Sequence, residues 1–195
     1  QTISYLPHFV SWVVIGGMIY SLFSYTGVVN QLMLRLGLQS SQISYLGLEN
    51  FFIPMVVISD LWKEIGWGSI IYLGVIVSID QTLYEAVEID GGGRMAKILH
   101  VTWPSLLGIF VIQFVLNCGT IMSGMGGTFE QVYVLSNDMV KSRAEIIDTY
   151  VLKVGLDNAR FSFATAVGLF KSVINLILLI SSNRIGKAIS GKALF

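Results

Sequence analysis

The chain alternates between long apolar segments and shorter polar connections. Four apolar segments, at residues 3–23, 51–79, 105–127 and 161–183, carry few charged side chains. A helix needs about 20 predominantly apolar residues to cross the hydrocarbon of a bilayer. The pattern therefore predicts an all-α fold, a polytopic membrane helical bundle in which these four segments are the spans.

The polar connections indicate how such a bundle would be oriented. Because successive spans reverse direction, the connections 24–50 and 128–160 should share one side of the membrane. The connection 80–104 and the C-terminal tail, with Arg184, Lys187 and Lys192, should share the other. Basic residues are slightly denser on the side of 80–104, which favours a cytoplasmic location for that side.

The connection 80–104 carries two short amphipathic patterns separated by three glycines. Each pattern has an apolar helical face, formed by Leu83, Ala86 and Val87 in the first and by Met95, Ile98, Leu99 and Thr102 in the second. The glycines permit the positive φ of a tight turn, and Pro104 is expected to end the second helix. Since helices this short are marginal alone in water, their apolar faces need a covering surface, in the same domain or on another protein.

Residues 85–104 resemble the EAA motif of binding-protein-dependent ABC importer permeases. The resemblance runs through the sequence Glu85-Ala86-Val87, Gly91, Ile98 and Pro104. Val87 stands where the motif has a second alanine, Trp103 where it has leucine, and Ile98 comes earlier than usual. In that family the loop is cytoplasmic and forms the coupling helices, which sit in a groove on the ATPase subunit.

The resemblance implies a role for each matched residue of the ATPase-coupling site. Glu85 would meet a basic group of the ATPase, and Gly91 would form the turn between the coupling helices. Ala86, Ile98 and Pro104 would complete the same site. The chain would then be a transport subunit, because it has no G-x-x-x-x-G-K-[ST] phosphate loop of its own. No cofactor is expected on this chain, and ATP and magnesium would bind the partner ATPase.

Further stretches extend the resemblance over nearly the whole chain. QTISYLPHFVSWVV, SDLWKEIGWGSIIYL and FEQVYVL are similar to permeases that serve lipoprotein-anchored binding proteins for complex sugars. The resemblance implies a bacterial plasma-membrane complex with a second permease subunit, ATPase subunits and an extracytoplasmic binding lipoprotein. Its cargo would be an oligosaccharide or a polysaccharide fragment. Permeases of this kind usually have additional spans before this point, so an N-terminal part is expected to be missing.

Charged residues inside the apolar segments permit two interpretations. Asp60, Lys63 and Glu64 share a helical face. They either anchor the helix at the interface or line a polar path, since intramembrane charges are costly and usually face a cavity. Lys171, near the middle of the last span, either snorkels to the interface or faces the bundle interior.

Four residues are candidates for the substrate path. In the maltose-type permease, substrate contacts come from the helices before and after the coupling loop. That resemblance selects Lys63 and Trp67 before the loop and Gln113 and Asn117 after it. Gln113 and Asn117 could equally hydrogen-bond another helix. It stays open whether this chain or only its partner permease holds the sugar.

Composition excludes several other classes of protein. With 12 basic and 12 acidic residues the formal net charge is zero, so no basic surface for nucleic acid is expected. Cys118 is the single cysteine, and the two histidines are far apart, which leaves no disulfide framework or metal-ligand spacing.

An ion-coupled secondary transporter or channel remains the alternative, with an ion path formed by Asp60, Lys63, Glu64 and Lys171.

Overall fold

The computed structural model describes residues 2–123 and 127–190. Residues 124–126 of the third predicted span and Lys192 of the tail lie outside the described part. Within these ranges the chain is helical and forms no β-strand, which confirms the predicted all-α class. Its α-helices, α1 to α11, are Thr2–Tyr5, Trp12–Phe23, Val28–Arg35, Glu49–Ser78, Gln81–Ile89, Arg94–Lys97, Trp103–Thr120, Thr128–Leu135, Lys141–Ala144, Ile147–Leu152 and Phe161–Ser190.

Three described helical segments are long and apolar enough to cross a membrane. They are Trp12–Arg35, Arg94–Ser123 and Phe161–Ala188. Helices α4 and α5 together make a fourth apolar segment, which is bent by 66° between them. The chain is thus a multi-pass membrane protein built from long apolar helices.

The chain folds into two compact units. The first contains residues 2–67 and 127–167, and the second contains residues 68–123 and 168–190. The first unit has an apolar core to which α2, the beginning of α4 and α8 contribute. Its buried members are Trp12, Ile15, Ile19, Leu46, Phe52, Met55, Val132, Leu135, Val140 and Ala144.

Buried amide side chains tie the connections of the first unit to this core. Asn30 is fully buried and donates to the carbonyl oxygens of Ser24 at 2.9 Å and Ile43 at 2.7 Å. Gln131 donates to the carbonyl oxygen of Val56 at 2.7 Å. Because a buried polar group without a partner is destabilising, these bonds fix the connection after α3 and the position of α8 against α4.

The first predicted span is not one helix. Helix α1 ends at Tyr5, a 3₁₀ turn covers Leu6–Phe9, and α2 begins at Trp12. Pro7 lies in the 3₁₀ turn, and a proline cannot continue an α-helix because it lacks the N–H and its ring crowds the preceding turn. Ser11 has extended backbone and caps α2 through its hydroxyl. The sequence segment 3–23 is therefore interrupted in its first half.

In the second unit, α7 and the end of α11 run antiparallel in close contact. A Cβ added at Gly119 would lie 2.6 Å from Leu179 Cδ1, and one at Gly186 would lie 2.5 Å from Val111 Cγ1. Small residues at such positions allow two helix backbones to approach.

Lys171 on α11 is only 8% exposed, which favours the interior position over snorkelling.

Pro104 does not end a helix, contrary to the sequence expectation. Arg94–Ser123 is one continuous helical segment in which the π turn Ile98–Thr102 joins α6 to α7. In that turn the Trp103 N–H bonds the carbonyl five residues earlier, on Ile98. The turn is therefore wider than an α-helical one, which gives the ring of Pro104 room where it would otherwise crowd a backbone carbonyl.

Candidate functional site

Residues 80–104 fold into a helical hairpin, which is here called the coupling hairpin. Its first helix, α5, begins at a capped end, where the Asp80 carboxylate accepts a hydrogen bond from the Thr82 N–H at 3.0 Å. That backbone donor stabilises the charged carboxylate and holds the pKa of Asp80 below its ordinary value. The charged cap satisfies one of the free N–H groups of the first turn and so fixes where α5 begins.

A Schellman motif ends α5 and turns the chain back. The Gly91 N–H bonds the Glu88 carbonyl at 3.0 Å, and the Gly92 N–H bonds the Val87 carbonyl at 2.8 Å. Gly91 has φ +75°, a left-handed conformation that glycine adopts without steric cost. A Cβ added at Gly92 would lie 3.1 Å from the Cβ of Ala96, so the glycine also lets α5 and α6 approach each other.

Two side-chain contacts join the halves of the coupling hairpin. Near the turn, Glu88 and Lys97 form an ion pair. At the base, the Tyr84 hydroxyl and the Thr102 hydroxyl are 3.0 Å apart and hydrogen-bonded. The hairpin is thus closed at both ends by its own residues.

The face that closes the hairpin differs from the face that helical spacing predicted. Tyr84 and Val87 are half-buried, whereas Leu83 and Ala86 are exposed. The reason is that the second half of the hairpin contacts the side of α5 that carries the Tyr84 hydroxyl. Spacing within α5 alone could not locate that side.

Large apolar side chains remain uncovered on the coupling hairpin. Ile89 is 86% exposed, Met95 66% and Leu99 55%. Of the predicted coupling residues, Glu85 and Ala86 are exposed on α5, and Ile98 is exposed in the π turn. Exposed apolar surface of this kind needs a cover, which lipid or another protein supplies.

The substrate-path candidate Lys63 is engaged by the backbone. It is 6% exposed, and its ammonium donates to the carbonyl oxygens of Pro7 at 3.3 Å, Val10 at 3.0 Å and His8. These carbonyls belong to the interruption between α1 and α2. An ammonium has three donors, and here all three serve to hold the broken helix.

Trp67 lies in an aromatic group next to Lys63. Its ring stacks on His8 with centroids 4.5 Å apart, and the edge of Phe9 meets it at 5.7 Å. The same His8 ring bonds the Glu64 carboxylate through Nδ1 at 3.0 Å. Trp67 is still 44% exposed, so part of its ring is free to meet another molecule.

The other two substrate-path candidates lie on α7. Gln113 is half-buried and Asn117 is exposed, and neither side chain has a hydrogen-bond partner among the described residues. Lys63 and Trp67 belong to the first unit, and Gln113 and Asn117 belong to the second. The two pairs remain predictions for a substrate path.

The sequence did not predict that Lys63 would donate to the carbonyls of the interrupted helix. It also did not predict the hydrogen bond between Tyr84 and Thr102. Pro7 followed by the polar pair His8 and Ser11 was the available signal for an interrupted helix. For the second contact, pairing the two short helices antiparallel about Gly93 would have placed position 84 opposite 102. Over the residues that the structure describes, no group of three histidine, cysteine or acidic side chains could hold a metal ion.

The long apolar helices and the exposed helical hairpin between two of them define a class, a polytopic membrane protein with a helical hairpin between its membrane helices. The chain belongs to the family described as the binding-protein-dependent transport system inner membrane component, whose model matches residues 1–191. The predicted family is thereby confirmed.

Two curated relatives from Bacillus subtilis (strain 168) match the full length of this chain. The protein LplB is 40% identical over 196 residues, and the polygalacturonan/rhamnogalacturonan transport system permease protein YteP is 37% identical over 196 residues. In each case the match covers 100% of this chain and 60% of the relative. The chain thus spans about three fifths of the length of these relatives.

Solved structures of similar proteins share the fold. One is a bacterial ABC transporter involved in the import of the acidic polysaccharide alginate, with a TM-score of 0.90 and 34% identity, covering 97% of this chain and 65% of that chain. The other is a bacterial alginate ABC transporter in complex with an alginate pentasaccharide-bound periplasmic protein, with a TM-score of 0.91 and 34% identity. That match covers 100% of this chain and 66% of that chain.

Proposed function

We propose that this chain is part of a permease subunit of an ATP-driven ABC importer and forms half of its translocation path. The observation that carries the proposal is the coupling hairpin. Its two helices are capped, turned and joined by their own residues, yet Ile89, Met95 and Leu99 stay uncovered. A surface that is ordered in advance and apolar suits docking, because little conformational freedom is lost on binding.

The partner at the coupling hairpin is an ATPase subunit. Its groove would cover the exposed apolar side chains, while Glu85 on the outer side of α5 meets a basic group. The hairpin and the C-terminal tail are then cytoplasmic, where ATP is available. The family match and the motif resemblance support this orientation, and so does the slight excess of basic residues on that side.

The remaining partners are a second permease subunit and an extracytoplasmic substrate-binding lipoprotein in a bacterial plasma membrane. The family description names a binding-protein-dependent system, and one similar structure is a complex with a periplasmic protein. The connections 24–50 and 128–160 would face that protein. Both belong to the first unit, where Asn30 and Gln131 fix them.

The cargo is an oligosaccharide or a polysaccharide fragment. Relatives are named for polygalacturonan and rhamnogalacturonan, for arabinooligosaccharides and for lactose, and the similar structures are named for alginate. Trp67, Gln113 and Asn117 keep their place as substrate-path candidates, because an aromatic face with amide groups suits a sugar. The ammonium of Lys63 already has backbone partners, so Lys63 acts by holding the path in shape.

The chain performs no covalent chemistry in this mechanism. ATP and magnesium bind the partner ATPase, whose closure would move the docked coupling hairpin. The spans would then alternate between inward-facing and outward-facing states around the substrate path, and hydrolysis would reset them. The enclosure of Lys63 by three carbonyls and the family match argue against the ion-coupled alternative, which needs that ammonium in an ion path.

Co-purification from detergent-solubilised membranes tests the docking site. Wild type is compared with a chain whose residues 80–104 are replaced by a glycine-serine linker and with Glu85→Lys. We expect an ATPase subunit and a second permease with the wild type, and loss of the ATPase alone in both variants. The ATPase should be lost because the linker removes the apolar surface and because the lysine reverses the charge at position 85.

Glu130→Lys is the matched control, since Glu130 is an exposed acid on α8 outside the hairpin. It should keep the ATPase. An intact wild-type complex without any ATPase, or an ATPase retained by the linker variant, would refute the proposal.

A further inference from the structure

The coupling hairpin is continuous with a membrane helix on one side only. Its second half runs without interruption from Arg94 to Ser123, through the π turn and into α7. Its first half, α5, is separated from α4 by a 66° bend. Movement of the docked hairpin can therefore reach α7 directly, provided that α5 and the second half move together.

Contacts between the two halves decide whether they move together. The Glu88–Lys97 pair lies near the turn, and the Glu88 side chain is 62% exposed. Exposed ion pairs contribute little, because water and salt screen them. The contact at the base of the hairpin, between Tyr84 and Thr102, is half-buried and is not screened in this way.

The bond at the base connects α5 to the π turn itself. Thr102 is the last residue of that turn, and its hydroxyl donates to the Lys97 carbonyl at 3.4 Å. A threonine hydroxyl has one proton to donate. Either hydroxyl can be the donor in the bond between Tyr84 and Thr102. When the Thr102 hydroxyl donates to the Lys97 carbonyl, the Tyr84 hydroxyl donates to Thr102 Oγ1, and hydrogen bonds then run from α5 into the backbone of the π turn.

We propose that Tyr84 and Thr102 are positioning residues that lock the coupling hairpin to α7, so that hairpin and helix move as one lever. This inference rests on the proposed function, because it takes ATPase docking as the source of movement. Docking uses the exposed side chains of the hairpin, whereas transmission uses the half-buried bond at its base. The two functions can therefore be separated by mutation.

The variants that separate them change only hydroxyl groups. Tyr84→Phe and Thr102→Val each remove one partner of the bond and keep the shape of the side chain. The double variant should be no worse than either single one, because the bond can be lost only once. Thr102→Ser keeps the hydroxyl and should behave as wild type. Tyr72→Phe is the matched control, since the Tyr72 hydroxyl has no partner among the described residues.

Cys118 supplies the readout, because it is the single cysteine of the chain and lies on α7 beside the close contact of Gly119 with Leu179. In the complete complex, the rate of Cys118 alkylation by N-ethylmaleimide is measured by mass spectrometry. The measurement is made without nucleotide and after trapping with MgATP and orthovanadate. ATPase content is quantified in the same samples.

We expect trapping to change the alkylation rate of Cys118 in the wild type. Loss of one net hydrogen bond shifts the equilibrium between locked and unlocked hairpin about fivefold. The difference in Cys118 alkylation rate between the trapped and the nucleotide-free complex should therefore be smaller in Tyr84→Phe and in Thr102→Val. It should be equally small in the double variant, with the ATPase still bound.

Each other outcome counts against the lever. An unchanged effect of trapping in both hydroxyl variants, or no effect in the wild type, would overturn it and leave the docking site intact. Loss of the ATPase from Tyr84→Phe would place Tyr84 in the docking surface instead. An intact wild-type complex without ATPase would defeat the proposed function itself.

Discussion

At the scale of single residues, Lys63 shows how a charge that looks functional can be structural. Its ammonium lies 3.0 Å from the Val10 carbonyl and 3.9 Å from the Glu64 carboxylate, over the ring of Trp12. The Pro7 carbonyl also accepts the Val10 N–H at 3.1 Å, and the buried ammonium adds a side-chain donor to the carbonyls of Pro7, His8 and Val10. A buried charge is tolerated when it is paired and fully hydrogen-bonded, as it is here.

Lys63→Met should destabilise the protein by about 1–3 kcal/mol, because it removes the side-chain donor to the carbonyls of His8 and Val10. The apolar length of the side chain is preserved, so the loss reports the hydrogen bonds. The measurement is the thermal unfolding midpoint of the purified complex. Lys141→Met, at an exposed site on α9, is the control and should leave the midpoint unchanged. Equal midpoints for Lys63→Met and wild type would show that these hydrogen bonds do not stabilise the protein.

At the scale of elements, the coupling hairpin depends on its turn. The Schellman bonds place Gly91 at φ +75°, and a Cβ added there would meet no atom within 4 Å. Any effect of a side chain at this position therefore arises from backbone strain alone. A residue with a Cβ pays roughly 1–2 kcal/mol for the left-handed conformation.

Gly91→Ala should loosen the hairpin and speed tryptic cleavage after Arg94 and Lys97 by about fivefold or more, because local opening exposes both sites. Limited proteolysis of the purified complex measures this. Gly93→Ala is the control, since Gly93 has φ −82° and space for a methyl group. Equal cleavage rates in the two variants would mean that the turn is not under this constraint.

The sequence predicted much of the hairpin and less of how it is built. Helical spacing indicated two short helices, and the glycine triplet marked the turn. The sequence did not predict which face of α5 closes the hairpin, and the expected end of the second helix at Pro104 was wrong. Both depend on a partner segment, since Tyr84 faces inward only because Thr102 lies opposite, and Pro104 fits only because a π turn precedes it.

At the scale of the whole molecule, the orientation of the chain sets which partners it can meet. The exposed Lys187 near the end of α11 and the exposed Lys141 on α9 should face opposite sides of the membrane. In a Cys118→Ala background, Lys141→Cys should react with an impermeant maleimide in intact cells. Lys187→Cys should react only after the membrane is opened. The reverse labelling would invert the orientation and remove the docking site from the cytoplasm.

The sequence by itself determined the class of fold and the place of the helical hairpin. Long apolar runs dictate membrane helices wherever they occur, and a glycine turn between two short amphipathic patterns dictates a hairpin, because both follow from local backbone and side-chain chemistry. Only the tertiary structure decided that Lys63 holds the break at Pro7 and that Tyr84 meets Thr102. Those contacts join residues 18 or more than 50 positions apart, and no local preference specifies which distant partner a side chain will meet.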